Sequence, residues 1–192
     1  MIPTKIFQCW FGGERPDDIR EMMISVRAMN LGWEVIVIHE DNAKDLLGLD
    51  IAYLKDKCQN WASVSNIVRL HAVYKYGGIF ADADIKALKS FEPLRYYAAF
   101  SAMQDGNYTC NAFFGAEPEH PWIKFQIDRQ EELMDADAAK GVYLMSMAPR
   151  DRVWTIPTHL IYPWHWDAPQ EKRVPHKDSI VEHFWKGSWS KK

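Results

Sequence analysis

Two carboxylates one residue apart, Asp82 and Asp84, follow a short apolar run, Ile79-Phe80-Ala81. Gly77 and Gly78 separate that run from a long apolar-periodic segment. In an extended segment, residues two apart point to the same side, so both carboxylates can face one point. Like charges that close repel each other, and a divalent cation relieves the repulsion. Oxygen donors suit a hard ion such as Mn²⁺ or Mg²⁺. An Asp-x-Asp by itself is equally at home in a solvated turn, so its weight comes from its setting. Ser65, Asn66 and Arg69 lie just upstream, and residues three apart, such as Asn66 and Arg69, share a helix face. A cation and an amide are costly to bury in a packed helix unless they find partners. The acidic pair can supply them, so Arg69 is expected to ion-pair with Asp82 or Asp84, to serve a substrate, or to do both.

The elements that must position these groups read as alternating strands and helices. Residues 6–11 form a first strand that Gly12-Gly13 ends, and residues 19–29 carry apolar side chains at helical spacing. Residues 33–38 form a second strand, which makes a βαβ unit and points to a mostly parallel sheet. Residues 41–47 read as a short helix, and 50–60 fit either a helix or an irregular link. Residues 61–76 are the strongest helix, apolar on more than one face and so buried on two sides. The glycine pair ends it, with at least one glycine in a left-handed conformation. Residues 79–81 are then a third strand with the acidic pair at its carboxyl end, where open α/β sheets keep their ligands. Downstream, 97–103 and 111–116 read as strands, 118–133 and 138–147 as helices, and 152–156 as a strand. Residues 162–177 read as loop and 179–184 as a final strand.

A length of 192 residues fits one domain with a sizeable core, and residues 1–192 are read as one unit. The net charge of −3 leaves no basic footprint, which argues against a nucleic-acid partner. Cys9, Cys58 and Cys110 are widely spaced and odd in number. They form neither a disulfide framework nor a metal motif and suit a reducing, cytoplasmic compartment. No signal peptide and no membrane-spanning run is visible, which still leaves room for peripheral membrane association. Of nine tryptophans, five fall between Trp154 and Trp189, where indole faces can pack in a core or against sugar and base surfaces. His71 lies on the long helix and is expected to be a hydrogen-bonded core histidine.

The ordered motifs carry a resemblance. Ala62-x-x-Ser65-Asn66-x-x-Arg69 followed by Tyr76-Gly77-Gly78-Ile79-Phe80-x-Asp82-x-Asp84 resembles the DXD-containing sugar transferases of bacterial capsule and lipopolysaccharide synthesis and the yeast initiating mannosyltransferase. More distantly it is similar to the catalytic domain of the large clostridial glucosylating toxins. The opening Ile2-Pro3-x-Lys5-Ile6-x-Gln8-x-Trp10-Phe11-Gly12-Gly13, Asn111 in its apolar strand, Tyr162-Pro163 and the ending His183-x-Trp185-x-x-Ser188-Trp189 match in the same order. The resemblance implies an α/β, Rossmann-like GT-A fold with a mostly parallel central sheet, and retaining transfer from a UDP- or GDP-sugar to a glycan or lipid-linked acceptor. It implies that Trp10 stacks on the nucleobase and that Arg69 and position 66, with Ser65 beside them, hold the ribose or donor sugar. Asp82 would sit near ribose, sugar and metal, Asp84 would ligate Mn²⁺ or Mg²⁺, and Asn111 would face the donor sugar. Glu182 or His183 would complete the metal shell; they alternate along a strand, so only one of them can point inward. Ser188 and Trp189 would hold the diphosphate. The chain departs from the pattern at Asn66, where the family usually has Asp.

The residue chemistry agrees with transfer, because a metal and fixed donors stabilise the charge on a leaving phosphate. A nucleotide-sugar- or glycan-binding protein that has lost turnover is the alternative reading. A metal-dependent phosphate or nucleotide hydrolase using the same Asp-x-Asp fits the three separated motif blocks less well.

Overall fold

In a computed structural model of the protein, strand β1 (Lys5–Cys9) leads through helix α1 (Asp17–Met29) into β2 (Glu34–Ile38). Helices α2 (Ala43–Leu47), α3 (Ile51–Cys58) and α4 (Trp61–Tyr76) follow, then β3 (Gly78–Ala81) and β4 (Ile85–Ala87). Strands β5 (Ala99–Met103) and β6 (Thr109–Ala116) precede α5 (Pro121–Ile127), α6 (Lys140–Met147), β7 (Val153–Ile156), α7 (Thr158–Ile161) and β8 (Val181–His183). The structure describes residues 1–186 other than 105, 107 and 136.

Six strands form the main sheet in the order β2-β1-β3-β6-β5-β7. β1 runs parallel to β2 and β3, β6 runs against β3 and β5, and β5 runs parallel to β7. Only β6 is therefore reversed, and the sheet is mostly parallel as the βαβ reading required. Alternation along the strands builds two cores. Phe7, Phe80 and Phe114 face one side, with Val64, Ile67, Val68 and Val73 of α4 against them. Ile6, Ile79, Ala81 and Phe113 face the other, with Val26 of α1, Ile85 of β4 and Val181 of β8. Helix α4 therefore lies on the sheet with further helices outside it, which is why it is apolar on more than one face.

Local signals set the starts of α3 and α4 and the end of α4. The Asn60 side chain accepts the Ser63 amide at 2.7 Å and starts α4. The Asp50 side chain accepts the Tyr53 amide at 3.0 Å and resolves the ambiguous 50–60 stretch into a helix that buries Ile51, Leu54 and Cys58. Gly77 and Gly78 both have positive φ, +61° and +126°. A Cβ on Gly78 would lie 2.6 Å from the Lys5 carbonyl oxygen, so the turn from α4 into β3 needs bare backbone at the sheet.

Three expectations are corrected. Residues 118–133 are not one helix: α5 ends at Ile127, and a 3₁₀ turn over Gln130–Leu133 swings Leu133 into the core with Cys58. Strand β4 and helix α7 lie where the sequence showed no element. The final strand is only Val181–His183, and it pairs antiparallel with β4 in a separate two-stranded sheet.

Candidate active site

The acidic pair leaves the carboxyl end of β3 in a tight turn rather than an extended run. The Asp82 amide still continues the ladder by donating to the Ala112 carbonyl at 2.8 Å. The Ile85 amide then donates back to the Asp82 carbonyl at 3.0 Å, and the chain reverses into β4. β4 pairs with β8 in a register that sets Ile85 opposite His183. This pairing brings the imidazole beside Asp84, with His183 Nε2 3.2 Å from Asp84 Oδ1. Each of Asp82, Asp84 and His183 offers one ligand atom, and all three atoms lie within 4.8 Å of one another. The Lys186 amide donates to Asp84 Oδ2 at 2.8 Å and the Phe184 amide to the Asp84 carbonyl at 3.1 Å, so the chain after β8 is tied across the turn. Trp185 packs on the His183 ring at 3.9 Å between centroids, with Tyr162 behind it at 5.8 Å.

Arg69 is the fixed cation of the site, 4 % exposed. Its Nε donates to the Ser65 carbonyl at 3.1 Å and its Nη2 to Ser65 Oγ at 3.1 Å. Nη1 donates to the Asn111 carbonyl at 2.6 Å, and Nη2 lies 3.0 Å from Asp82 Oδ1. The guanidinium stacks over Phe80 at 4.5 Å. The ion pair expected of Arg69 is thus made with Asp82. Burial is the larger influence on Asp82 and pushes its carboxyl up, against the pull of Arg69 and with the neighbouring Asp84 charge adding to it. Burial also works to raise Asp84, but the facing His183 charge, their hydrogen bond and the Lys186 amide outweigh it and hold the carboxyl below its usual range.

Glu182 does not join the cluster. It stands opposite Lys86 in the β4–β8 ladder, its carboxylate 3.8 Å from Lys86 Nζ, and it points to the face away from His183 as strand alternation demands. Trp10 follows β1 and is half-buried, its indole donating to the Gly13 carbonyl at 2.9 Å. With Gly13, Arg15, Val37, His39, Glu40 and Asp41 it lines a cleft of about 420 Å³ past the ends of β1 and β2. β1 lies between β2 and β3, so this cleft and the acidic cluster share one edge of the sheet. The residues after β2 were not singled out from the sequence; their only signal was that they end the second parallel strand. Asn66 and Asn111 are buried and bonded to each other, the Asn111 Nδ2 donating to Asn66 Oδ1 at 2.8 Å. Ser188 and Trp189 lie outside the described residues. His71 is hydrogen-bonded as expected, its Nε2 2.7 Å from Gln130 Oε1, but it is only half-buried.

The sequence model of the family described as capsular polysaccharide synthesis protein matches residues 1–125, well over half of the chain. The chain belongs to the capsular polysaccharide synthesis protein family. Among curated relatives, inositol phosphoceramide mannosyltransferase 3 of Schizosaccharomyces pombe is 22% identical over 125 residues, 64% of this chain and 35% of that protein. A human alpha-1,4-N-acetylglucosaminyltransferase is 33% identical over 66 residues, 34% of this chain and 18% of that protein. The chain thus spans about a third or less of the curated relatives it matches.

Among solved structures, the PaToxG glycosyltransferase aligns with a TM-score of 0.57 at 15% identity, covering 76% of this chain and 67% of that one. The glycosyltransferase GlyE of Streptococcus pneumoniae TIGR4 aligns at 0.55 and 9% identity, covering 96% and 55%. LgtC, solved as an active-site mutant, aligns at 0.52 and 12% identity, covering 94% and 86%. The fold of this family member is therefore that of the GT-A glycosyltransferases.

The cysteines of this chain are held in their thiol form by burial. Burial pushes the Cys9 thiol up to about 12 and Cys110 to about 11, and it raises Cys58 as well. All three are free and buried. Because the thiolate is the reactive form, a chromogenic disulfide reagent at pH 8 is expected to label no cysteine in the native protein and all three in denaturant. Fast labelling of the native form would show that the cores open.

Proposed function

We propose that the protein is a metal-dependent, retaining glycosyltransferase that moves a sugar from a UDP- or GDP-sugar to a glycan or lipid-linked acceptor, with residues 1–192 read as one GT-A domain. The observation that carries this reading is the convergence of Asp82, Asp84 and His183 at the end of β3, on the sheet edge that also holds the Trp10 cleft. Two carboxylates and an imidazole are a donor set that fits a divalent cation. The nitrogen favours Mn²⁺ over Mg²⁺, which prefers oxygens throughout. When bound, the cation supplies Lewis-acid neutralisation of the charge on a leaving diphosphate.

The chain's own residues do the rest. Asp84 is aimed by the Lys186 amide and His183 and would ligate the ion directly. Asp82 is oriented by Arg69 and would lie nearer the ribose and sugar. The Trp10 indole would cover the base in its cleft. The carboxylates beside Arg69 are engaged, Asp82 with Arg69 itself and both Asp82 and Asp84 in the cluster that would hold the ion, and the neighbouring Ser65, Asn66 and Asn111 carry none, which leaves no uncommitted carboxylate in this group to form a covalent sugar adduct. The reading is therefore front-face attack, in which the acceptor oxygen bonds to the anomeric carbon as the bond to the phosphate oxygen breaks. The hydroxyl proton passes to the leaving phosphate. A glycosyl-enzyme adduct detected by mass spectrometry would overturn that step.

A second reading has an observation of its own. Asn66 and Asn111 are buried and spend their side chains on protein groups, which also suits a domain that binds a nucleotide sugar without turning it over. Incubation with Mn²⁺ and a panel of UDP- and GDP-sugars separates the two. Release of the nucleoside diphosphate supports the enzyme, and a raised thermal midpoint without release supports the binding module. Three buried free cysteines support a reducing, cytoplasmic setting. Among the described residues no helix is long and apolar enough to cross a membrane.

A further inference from the structure

We infer that Asn66 is a positioning residue whose neutral amide clasps the turn before α6 to the acidic pair, and that Gly141 is bare so that the clasp can close. The inference deepens the proposed transfer reaction and rests on it for its kinetic arm only. Asn66 Nδ2 donates to the Ala138 carbonyl at 2.9 Å, and its Oδ1 accepts from Asn111 Nδ2 at 2.8 Å. The Asn111 carbonyl accepts from Arg69 Nη1 at 2.6 Å, and Arg69 Nη2 lies 3.0 Å from Asp82 Oδ1. Two sets of polar contacts, joined covalently through Asn111, therefore link the backbone of the 137–140 turn to Asp82. Both amides are enclosed, with Asn66 5% and Asn111 8% exposed.

Gly141, in the first turn of α6, lies directly on this pair. A Cβ there would come within 2.5 Å of Asn111 Nδ2 and 2.6 Å of Asn66 Cγ. The turn is braced on its own side by the Lys140–Asp135 ion pair at 2.7 Å and by Asp137 Oδ1 accepting the Ala139 amide at 3.0 Å.

The chemistry at position 66 is asymmetric. One side of the side chain must donate, to a carbonyl, and the other must accept, from an amide. Asparagine does both at once, whereas an ionised aspartate only accepts. Asp at this position would set a carboxylate oxygen against the Ala138 carbonyl in a buried place, and only its protonated form could restore the donor. The charged and titratable groups nearest position 66 on the elements meeting there are Arg69 of α4 with its partner Asp82, the Cys9 thiol of β1, the Cys110 thiol of β6, and Asp135, Asp137 and Lys140 before and at the start of α6, while His71 and Lys75 of α4 bond to Gln130 and the Leu46 carbonyl and Tyr143 of α6 packs on Tyr108. A carboxyl placed there has its folded-state pKa raised by burial and by the facing carbonyl. Its folded form is therefore relieved below the unfolded value of about 3.9 and penalised as pH rises through the raised folded value.

The test is Asn66→Asp, Asn66→Ala and Gly141→Ala in the full chain, with thermal midpoint, kcat and donor KM measured at pH 5 and pH 8. Asn66→Asp is expected to lose roughly tenfold in kcat at pH 8, with a lowered midpoint, and both deficits shrink at pH 5 relative to the unsubstituted protein. Asn66→Ala shows no such recovery in acid, and Gly141→Ala reproduces the kcat loss at both pH values. Asn66→Asp with an unchanged midpoint and kcat at pH 8, or with a deficit independent of pH, would overturn the inference. If Asn66→Asp does not fold, Gly141→Ala decides: unchanged kcat and midpoint in that variant sink the clasp. If the unsubstituted protein turns over no donor, the transferase reading fails, and the midpoints still decide the clasp.

Discussion

Asp84→Ala is expected to abolish Mn²⁺-dependent release of nucleoside diphosphate, by about 10³-fold in kcat, while the chain stays folded. A bound divalent ion contributes several kcal/mol of transition-state charge stabilisation, and about 4 kcal/mol corresponds to three powers of ten. Asp84 is the residue best placed to hold that ion. Its carboxylate is only 15% exposed and faces His183 Nε2 at 3.2 Å, with the Lys186 amide fixing its second oxygen. Two companions sharpen the result. His183→Ala should raise the Mn²⁺ concentration needed for half-maximal rate, because it removes the third donor of the cluster. Glu182→Ala should leave that concentration unchanged, because Glu182 faces Lys86 on the opposite side of β8. Mn²⁺ binding followed directly by calorimetry would separate loss of metal from loss of turnover. Full activity of the unsubstituted protein in excess chelator would remove the basis of the proposed mechanism.

Arg69→Ala is expected to be the most destabilising single change at the site, by about 3–5 kcal/mol. The cost comes from what it leaves behind. Asp82 keeps a largely buried charge next to Asp84 and loses its only counter-ion on α4, while the Asn111 carbonyl and Ser65 lose the donors that satisfied them. For a domain of this size the thermal midpoint should fall by roughly 6–20 °C. Arg69→Lys should not restore it, because one ammonium cannot reach Asp82, Ser65 and the Asn111 carbonyl together as a planar guanidinium does. Adding Asp82→Asn to Arg69→Ala should recover part of the loss, since the unpaired carboxylate is the source of the penalty. A double variant no more stable than Arg69→Ala alone would mean that the cost is lost packing over Phe80 instead.

Much of this site was legible in the chain because its signals are local. The apolar period of residues 61–76, the glycine pair after it and the short run into Asp82 and Asp84 each depend on neighbours a few residues away. So did the βαβ start and Trp10 at the end of β1. The family resemblance added roles for Arg69 and Asn111 that periodicity alone does not assign.

What only the tertiary structure decided depends on pairing across long stretches of chain. Strand β4 is three residues long and has no independent signal; it exists because β8, nearly a hundred residues later, pairs with it. That register selects His183 over Glu182, since a shift of one residue would exchange the faces of the strand. The turn over Asp82–Ile85 could not be read from an Asp-x-Asp spacing that fits an extended run equally well. Asn66, which in sequence reads as a missing charge, finds its donor's partner at Ala138, across a distance that no local pattern encodes. Residue types and short spacings therefore determined which chemistry is available here. Long-range strand register and the docking of α6 determined which of those residues meet.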